Sequence, residues 1–334
     1  MKKLTFLMVA LVLVVAMVLP ACAKAPAPAE PIVLTYSGGQ AIENPITKAM
    51  YHWAELVGER TNDRVKIEVY PAEQLYTPDE LPTVVPAGTV DIGEFPCGDL
   101  QGISEAAVVS DLFWFFDTWE HAAKTHREGF DIVDRELQAN KVKLLFWMFS
   151  GGNAGPITKV PVKTLEELKG LKIRGWGEEP VKLLDALGAT GVYVTYGEVY
   201  TALQTGMVDG AMSGFTNYAD MAWYEHAKYV VDVTTSYGIF LTGINLDKWN
   251  SLPKDIQDIM FEAGRETEEW NVPLAIEADK EAKAALREVG VTLYELPLDE
   301  LARWRERSKE PFYEDFKKRT PGCAEIFELA EQLR

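Results

Sequence analysis

TLEELKGLKIRGWGEEPVKLLDALGATGVYVTYGEVYTALQTGMVDG, residues 164–210, decides the fold, because helix and strand signals alternate through it without a gap. Thr164 with Glu167 has the spacing of a capping box ahead of a short helix that Gly170 stops. LKIR reads as a strand. Glu178, Glu179 and Pro180 suit a first helical turn, Leu183, Leu184 and Leu187 form that helix's apolar face, and Gly188 suits its end. VYVT is the next strand. Thr195 with Glu198 repeats the capping spacing, and Val199, Leu203 and Met207 are expected on one face, with Gly206 near the end of the helix. Such alternation predicts an α/β lobe.

The same reading extends toward the N-terminus. IVLTYSGG is a short strand ending in a turn, residues 46–60 are helical with Met50, Trp53, Ala54 and Val57 on one face, and RVKIEVY is a second strand. This strand, helix, strand unit favours a parallel sheet. A helix broken by Pro82 and Pro86 is expected over 77–90, then the strand VDIGEF, the aromatic segment DLFWFFDTW with Trp114, Phe115 and Phe116 as packing residues, a helix over 120–140 and the strand VKLLFWMF. SGGNAGPITKVP, residues 150–161, reads as a crossover rather than a core element. Beyond 210 follow a strand near 237–246, long charged helices from Pro253 interrupted at Pro273, the strand VTLYELP and helices over the last forty residues.

The predicted fold is therefore α/β and two-lobed, with a hinge and a ligand cleft between the lobes. Residues 32–148 with about 233–270 are expected to form the first lobe. Residues 149–232 with about 271–334 form the second, including the C-terminal helices.

The N-terminus reads as an address. Residues 1–21 carry two lysines and an apolar run from Leu4 to Leu19, too short for a membrane span, and behave as an export signal. Leu19-Pro20-Ala21-Cys22 resembles a bacterial lipoprotein processing site, which makes Cys22 the expected lipidated residue; cleavage near Ala23 with free secretion is the alternative. Residues 22–31, with alternating prolines, form an extended tether. The formal charge of −18 becomes −20 without Lys2 and Lys3, since residues 1–21 hold no acid. Such a surface excludes nucleic acid and anionic lipid as natural partners. Of the three cysteines, Cys97 and Cys323 either pair or stay as two buried thiols.

Catalytic signatures are missing: no nucleophile elbow, no phosphate loop, no dinucleotide glycine motif and no zinc-protease helix motif. His121 and His126 are five apart and would point about 140° from each other on a helix. Neither a metal nor a cofactor is expected. Arg174 differs by position, since ligands of open α/β sheets sit beyond the carboxyl ends of strands and a guanidinium there can grip a carboxylate through two parallel hydrogen bonds. Gly175-Trp176-Gly177 allows the chain to turn closely around a ligand. On spacing alone the alternative is an arginine paired with one of the many acids.

The order LKGLKIR, ALGA, GEVYTALQTGMVDG and AKYV over residues 164–230, with AEQL and AGTVDIG earlier, resembles the extracytoplasmic solute-binding proteins of tripartite ATP-independent periplasmic (TRAP) transporters. The resemblance implies a type II periplasmic binding protein-like fold, that Arg174, the arginine of the K-[IM]-R motif, pairs with the carboxylate of a bound organic acid, and that the closed protein docks on TRAP membrane permease subunits driven by an ion gradient. Family members that bind sialic acid have a second arginine where this chain has Gly152-Asn153-Ala154, and members that bind a 2-oxo acid through sodium have a Glu-Trp pair where it has Met212-Ser213. Neither ligand type is indicated, and a monocarboxylate with an apolar or aromatic body is favoured over a dicarboxylate. Trp176, Ser213, Phe215 and Asn217 are the expected ligand contacts beside Arg174, with Asn153 in the crossover. Glu94 and Tyr36, at ends of strands of the first lobe, are expected to face the cleft, as is Tyr218 less directly. An exported enzyme, or a binding protein feeding a signalling partner, are the competing readings.

Overall fold

In the computed structural model, which describes residues 30–334, two separate sheets are built, and the long strands of the first are buried along almost their whole length. The signal, Cys22 and the tether up to residue 29 lie outside the described residues. β1 (Ile32–Ser37), β2 (Val65–Tyr70), β3 (Ile92–Pro96), β4 (Val142–Ala154) and β10 (Thr234–Asn245) form the first sheet, in the order β2-β1-β3-β10-β4. The second is β11-β9-β5-β8-β6-β7, from β5 (Ile157–Thr158), β6 (Lys172–Gly175), β7 (Thr190–Tyr193), β8 (Gly210–Ala211), β9 (Tyr229–Val231) and β11 (Thr292–Tyr294). β1 runs parallel to β2 and β3, while β10 is antiparallel to both β3 and β4. The mixed α/β architecture with two lobes is the expected one.

Helix Pro45–Arg60 is set by Asn44, whose side chain accepts from Ile46 N, and it turns Met50, Trp53 and Val57 into the first core, with Ala54 only partly covered. Helix Glu178–Leu187 lays Leu183, Leu184 and Leu187 on the second sheet and ends at Gly188, whose φ of 102° is a left-handed cap that a side chain would strain.

Several departures from the expected pattern stand out. Residues 150–154 and 157–158 are not a loose crossover but buried strand, with Gly151 and Gly152 pressing their backbone on Asp279, whose Oδ2 accepts from Gly152 N at 2.6 Å. The helix expected to break at Pro273 runs unbroken for 35 residues, Lys254–Glu288. Its Ile256, Met260 and Ala263 lie in the first core and its Ala282 and Leu286 in the second, so packing at both ends outweighs one lost backbone bond. The helix expected over 77–90 shrinks to Leu81–Val84, and the one over 120–140 splits at Gly129 into Trp119–Glu128 and Phe130–Ala139. Met207, past the end of helix Val199–Thr205, is 55% exposed rather than on its apolar face.

The last helix, Pro321–Leu333, grouped with the second lobe in the sequence reading, instead packs Cys323, Ile326, Phe327 and Ala330 with Leu100, Ala106 and Leu137 beside the first sheet. Cys97 and Cys323 are both buried and free, the second of the two alternatives. Trp114, Phe115 and Phe116 are buried core residues, as expected. No helix among the described residues is long and apolar enough to cross a membrane.

Candidate functional site

The site is built around Arg174, on β6 between Val192 of β7 and Ala211 of β8. Its side chain is 3% exposed. Nε donates to Val194 O at 2.9 Å and Nη1 to Met212 O at 3.0 Å, and no carboxylate pairs with it among the described residues. β7 ends at Tyr193, two residues earlier than the sequence suggests, which leaves Val194 O free of the ladder and able to accept from the guanidinium. Burial draws the pKa of Arg174 down to about 10, with nearby Tyr193, Tyr196 and Asp99 opposing that shift. The group stays cationic, with N–H bonds to spare.

Those spare donors face a cavity of about 80 Å³ between the strand ends of the two lobes. Trp176, Ser213, Asn217 and Asn153 line it with Arg174, as the sequence suggests. They are already organised. Trp176 Nε1 donates to Asp111 Oδ2 at 2.9 Å, tying the segment after β6 to the first lobe. Asn217 Nδ2 donates to Ser213 Oγ at 2.7 Å, while its Oδ1 accepts from Tyr196 OH at 3.1 Å and from Asn44 Nδ2 at 3.3 Å. Asn153 Nδ2 donates to Ser236 Oγ at 3.0 Å.

Three expected contacts are elsewhere. Phe215, 1% exposed, packs into the second lobe's core with Lys283 4.3 Å from its ring centre, because the helix Phe215–Asp220 turns it away from the cavity. Tyr36 is fully buried under the first sheet, sharing a 2.5 Å hydrogen bond with Thr242 Oγ1. Glu94 is fully buried too, since β3 continues to Pro96 and so the strand end lies past it. Its Oε2 accepts from Gly39 N at 2.8 Å, its Oε1 has no partner among the described residues, and burial lifts its pKa to about 8. Tyr218 is likewise core, its hydroxyl donating to Gly155 O at 3.0 Å.

What the sequence reading missed is the acidic side of the cavity. Asp99, in the 3₁₀ turn Cys97–Leu100 directly after β3, and Asp111, ending the turn Val109–Asp111, both line it. Burial raises each to about 7; Trp176 holds Asp111 down in part and Arg174 does so for Asp99. A signal for Asp111 was available, since an acid heading the run LFWFF is drawn inside with it. For Asp99 the strand-end argument applied to Glu94 was sound but stopped one turn too early.

His121 and His126 are both buried in side-chain and backbone hydrogen bonds, His121 with Ala330 O and His126 with Ala122 O and Ser110 Oγ. Among the described residues no group of three or more His, Cys, Asp and Glu side chains could hold a metal ion.

Two α/β lobes around a cavity with a buried, unpaired guanidinium define a binding protein for a small solute. The model of bacterial extracellular solute-binding protein family 7, DctP, matches residues 37–319, and the chain belongs to that family, the solute-binding proteins of TRAP transporters. It is 30% identical over 290 residues to the C4-dicarboxylate-binding periplasmic protein DctP of Rhodobacter capsulatus, covering 84% of this chain and 85% of that one. A solute-binding protein of Albidiferax ferrireducens is 26% identical over 286 residues, 84% of each chain. Among solved structures, a TRAP periplasmic solute-binding protein from Desulfovibrio salexigens with bound orotic acid superposes with a TM-score of 0.85 at 22% identity, covering 90% of this chain and 98% of that one. The sugar-acid-binding protein DctPAm of Advenella mimigardefordensis, in complex with galactonate, gives 0.85 at 20% identity, covering 91% and 99%.

Proposed function

We propose that this protein captures a small organic acid outside the cytoplasm, with Arg174 as the carboxylate anchor, and hands it to TRAP membrane permease subunits. The observation that carries this reading is the arginine itself: buried, held by two main-chain carbonyls, without a carboxylate partner among the described residues and aimed into a cavity. A buried cation left unpaired is unfavourable unless something else supplies the anion. Ligands named for relatives and structural neighbours, a C4-dicarboxylate, orotic acid and galactonate, all carry a carboxylate.

Trp176, Ser213, Asn217 and Asn153 shape the walls, and Phe215, Tyr36 and Glu94 do not touch the ligand. The lobes hinge where the chain leaves β4 of the first sheet for β5 of the second and returns from β9 to β10, and closure is a population shift driven by contacts made to both lobes at once. The role is capture and delivery, without a covalent step, cofactor or metal. Export under the leader, with a lipid on Cys22 holding the body at the membrane face, completes the proposal. Mass spectrometry of the acid carried through purification, followed by calorimetry with that acid, tests capture; an empty protein that binds no organic acid refutes it. Labelling with a fatty-acid analogue tests the anchor, and equal label in Cys22→Ser refutes it.

A further inference from the structure

The cavity that Arg174 faces is also lined by carboxylates with acceptor capacity to spare, Asp99 and Asp111. Asp99 has no hydrogen-bond or ion-pair partner among the described residues, and it lies close enough to Arg174 for each to shift the other's proton affinity. Asp111, 6% exposed, gives one oxygen to Trp176. The amides of the wall are committed instead: Asn217 to Ser213, Asn44 and Tyr196, and Asn153 to Ser236. The cavity therefore offers a cation for an anionic group and, in the same lining, carboxylates that seek hydrogen-bond donors.

Resting on the carboxylate-capture reading, we infer that Asp99, backed by Asp111, is the specificity wall of this site, and that the ligand is a monocarboxylate carrying hydroxyl or ammonium donors at its far end rather than a dicarboxylate. An ionised or shared-proton carboxylate accepts strong hydrogen bonds from such donors. A second ligand carboxylate would instead meet like charge in a partly dry site. At the effective dielectric of about 20 that suits such sites, repulsion between two unit charges several ångströms apart amounts to roughly tenfold to a hundredfold in affinity. It also corrects the expectation of an apolar or aromatic body, since an apolar end would leave Asp99 desolvated and unpaired.

The test is calorimetry on matched pairs of four, five and six carbons, each pairing an ω-hydroxy or ω-amino acid with the dicarboxylic acid of equal length, and D-gluconate with D-glucarate. Wild-type protein is expected to favour the donor-ended member of every pair that binds by at least tenfold. Asp99→Asn, the same shape without the charge, is expected to bring that ratio to within about threefold of one, and Asp99→Asn with Asp111→Asn closer still. Equal or tighter binding of the dicarboxylates to wild type overturns the inference. A ratio unmoved by both variants overturns it as well. Binding that Arg174→Lys weakens, but that does not discriminate within pairs, leaves carboxylate capture standing and removes only the acidic wall. Failure of every acid to bind removes both.

Discussion

Replacing Arg174 is the perturbation whose size follows most directly from the geometry. Two of its N–H groups are donated to Val194 O and Met212 O, so those left for a ligand can form a two-pronged contact with a carboxylate. Each hydrogen bond to a charged group contributes about 1.5–3 kcal/mol net. Truncating one partner of a buried charge pair costs about 2–5 kcal/mol. For Arg174→Ala this converts to a rise in Kd of about 30-fold to 4,000-fold at 1.4 kcal/mol per decade. Arg174→Lys keeps the charge but lacks the planar fork, and its ammonium must also satisfy the two carbonyls. One lost ligand bond gives about tenfold to 150-fold. Calorimetry with the co-purified acid reads both, while thermal unfolding of the unliganded variants separates folding from binding. Because Arg174→Ala strips two buried carbonyls of their donor, some loss of stability in that variant is expected; Arg174→Lys is the cleaner comparison. Two folded variants that both bind within twofold of wild type would refute the anchor.

Further outcomes are open to measurement. Burial raises the pKa of Glu94 to about 8 and of Asp99, Asp111 and Asp279 to about 7, so between about pH 5 and 8 the folded state keeps protons that the unfolded chain has already lost. Stability therefore falls as pH rises through that window, by up to about 1.4 kcal/mol per pH unit for each group; a melting temperature higher at pH 8 than at pH 6 would contradict this. Glu94→Gln, which removes the highest of these groups, should flatten the slope between pH 7 and 8. Gly151→Ala forces a side chain onto φ 133° against the Asp279 carboxylate and should cost about 1–3 kcal/mol in urea unfolding; an unchanged midpoint would mean the β4 bend relaxes freely. Trp176→Phe loses the indole bond to Asp111 at 2.9 Å, and leaving that buried acid without its donor should weaken ligand binding by about 1–3 kcal/mol; calorimetry giving wild-type affinity would show the tie to be incidental.

Legibility followed the range of the interactions. The run 164–210 is ruled by local terms, such as glycine stops and leucines at helical spacing, so its helices and its strand-end arginine were readable with boundaries off by only a residue or two, although neither Thr164 nor Thr195 caps its helix through its side chain. Arg174 in particular was found because a strand end is a position along the chain. Glu94, Tyr36 and Phe215 were misplaced for the complementary reason. Each sits at a plausible strand or helix end, yet the side of the element it faces depends on what packs there, which for Tyr36 is Thr242 and for Phe215 is Lys283, both distant in sequence. Pro273 shows the same rule from the other direction, since a local helix-breaking preference yields to packing against two cores.

By itself the sequence determined the two α/β lobes, the strand-end position of Arg174 and the family, all encoded in spacings of a few residues. Only the tertiary structure decided which of the chain's 51 acids stand in the cavity. An acid's pattern along the chain is the same whether it is solvated or turned inward. Asp99 and Asp111 join the cavity lining only because two turns of the first lobe are brought against a strand end of the second, a contact that no spacing along the chain records.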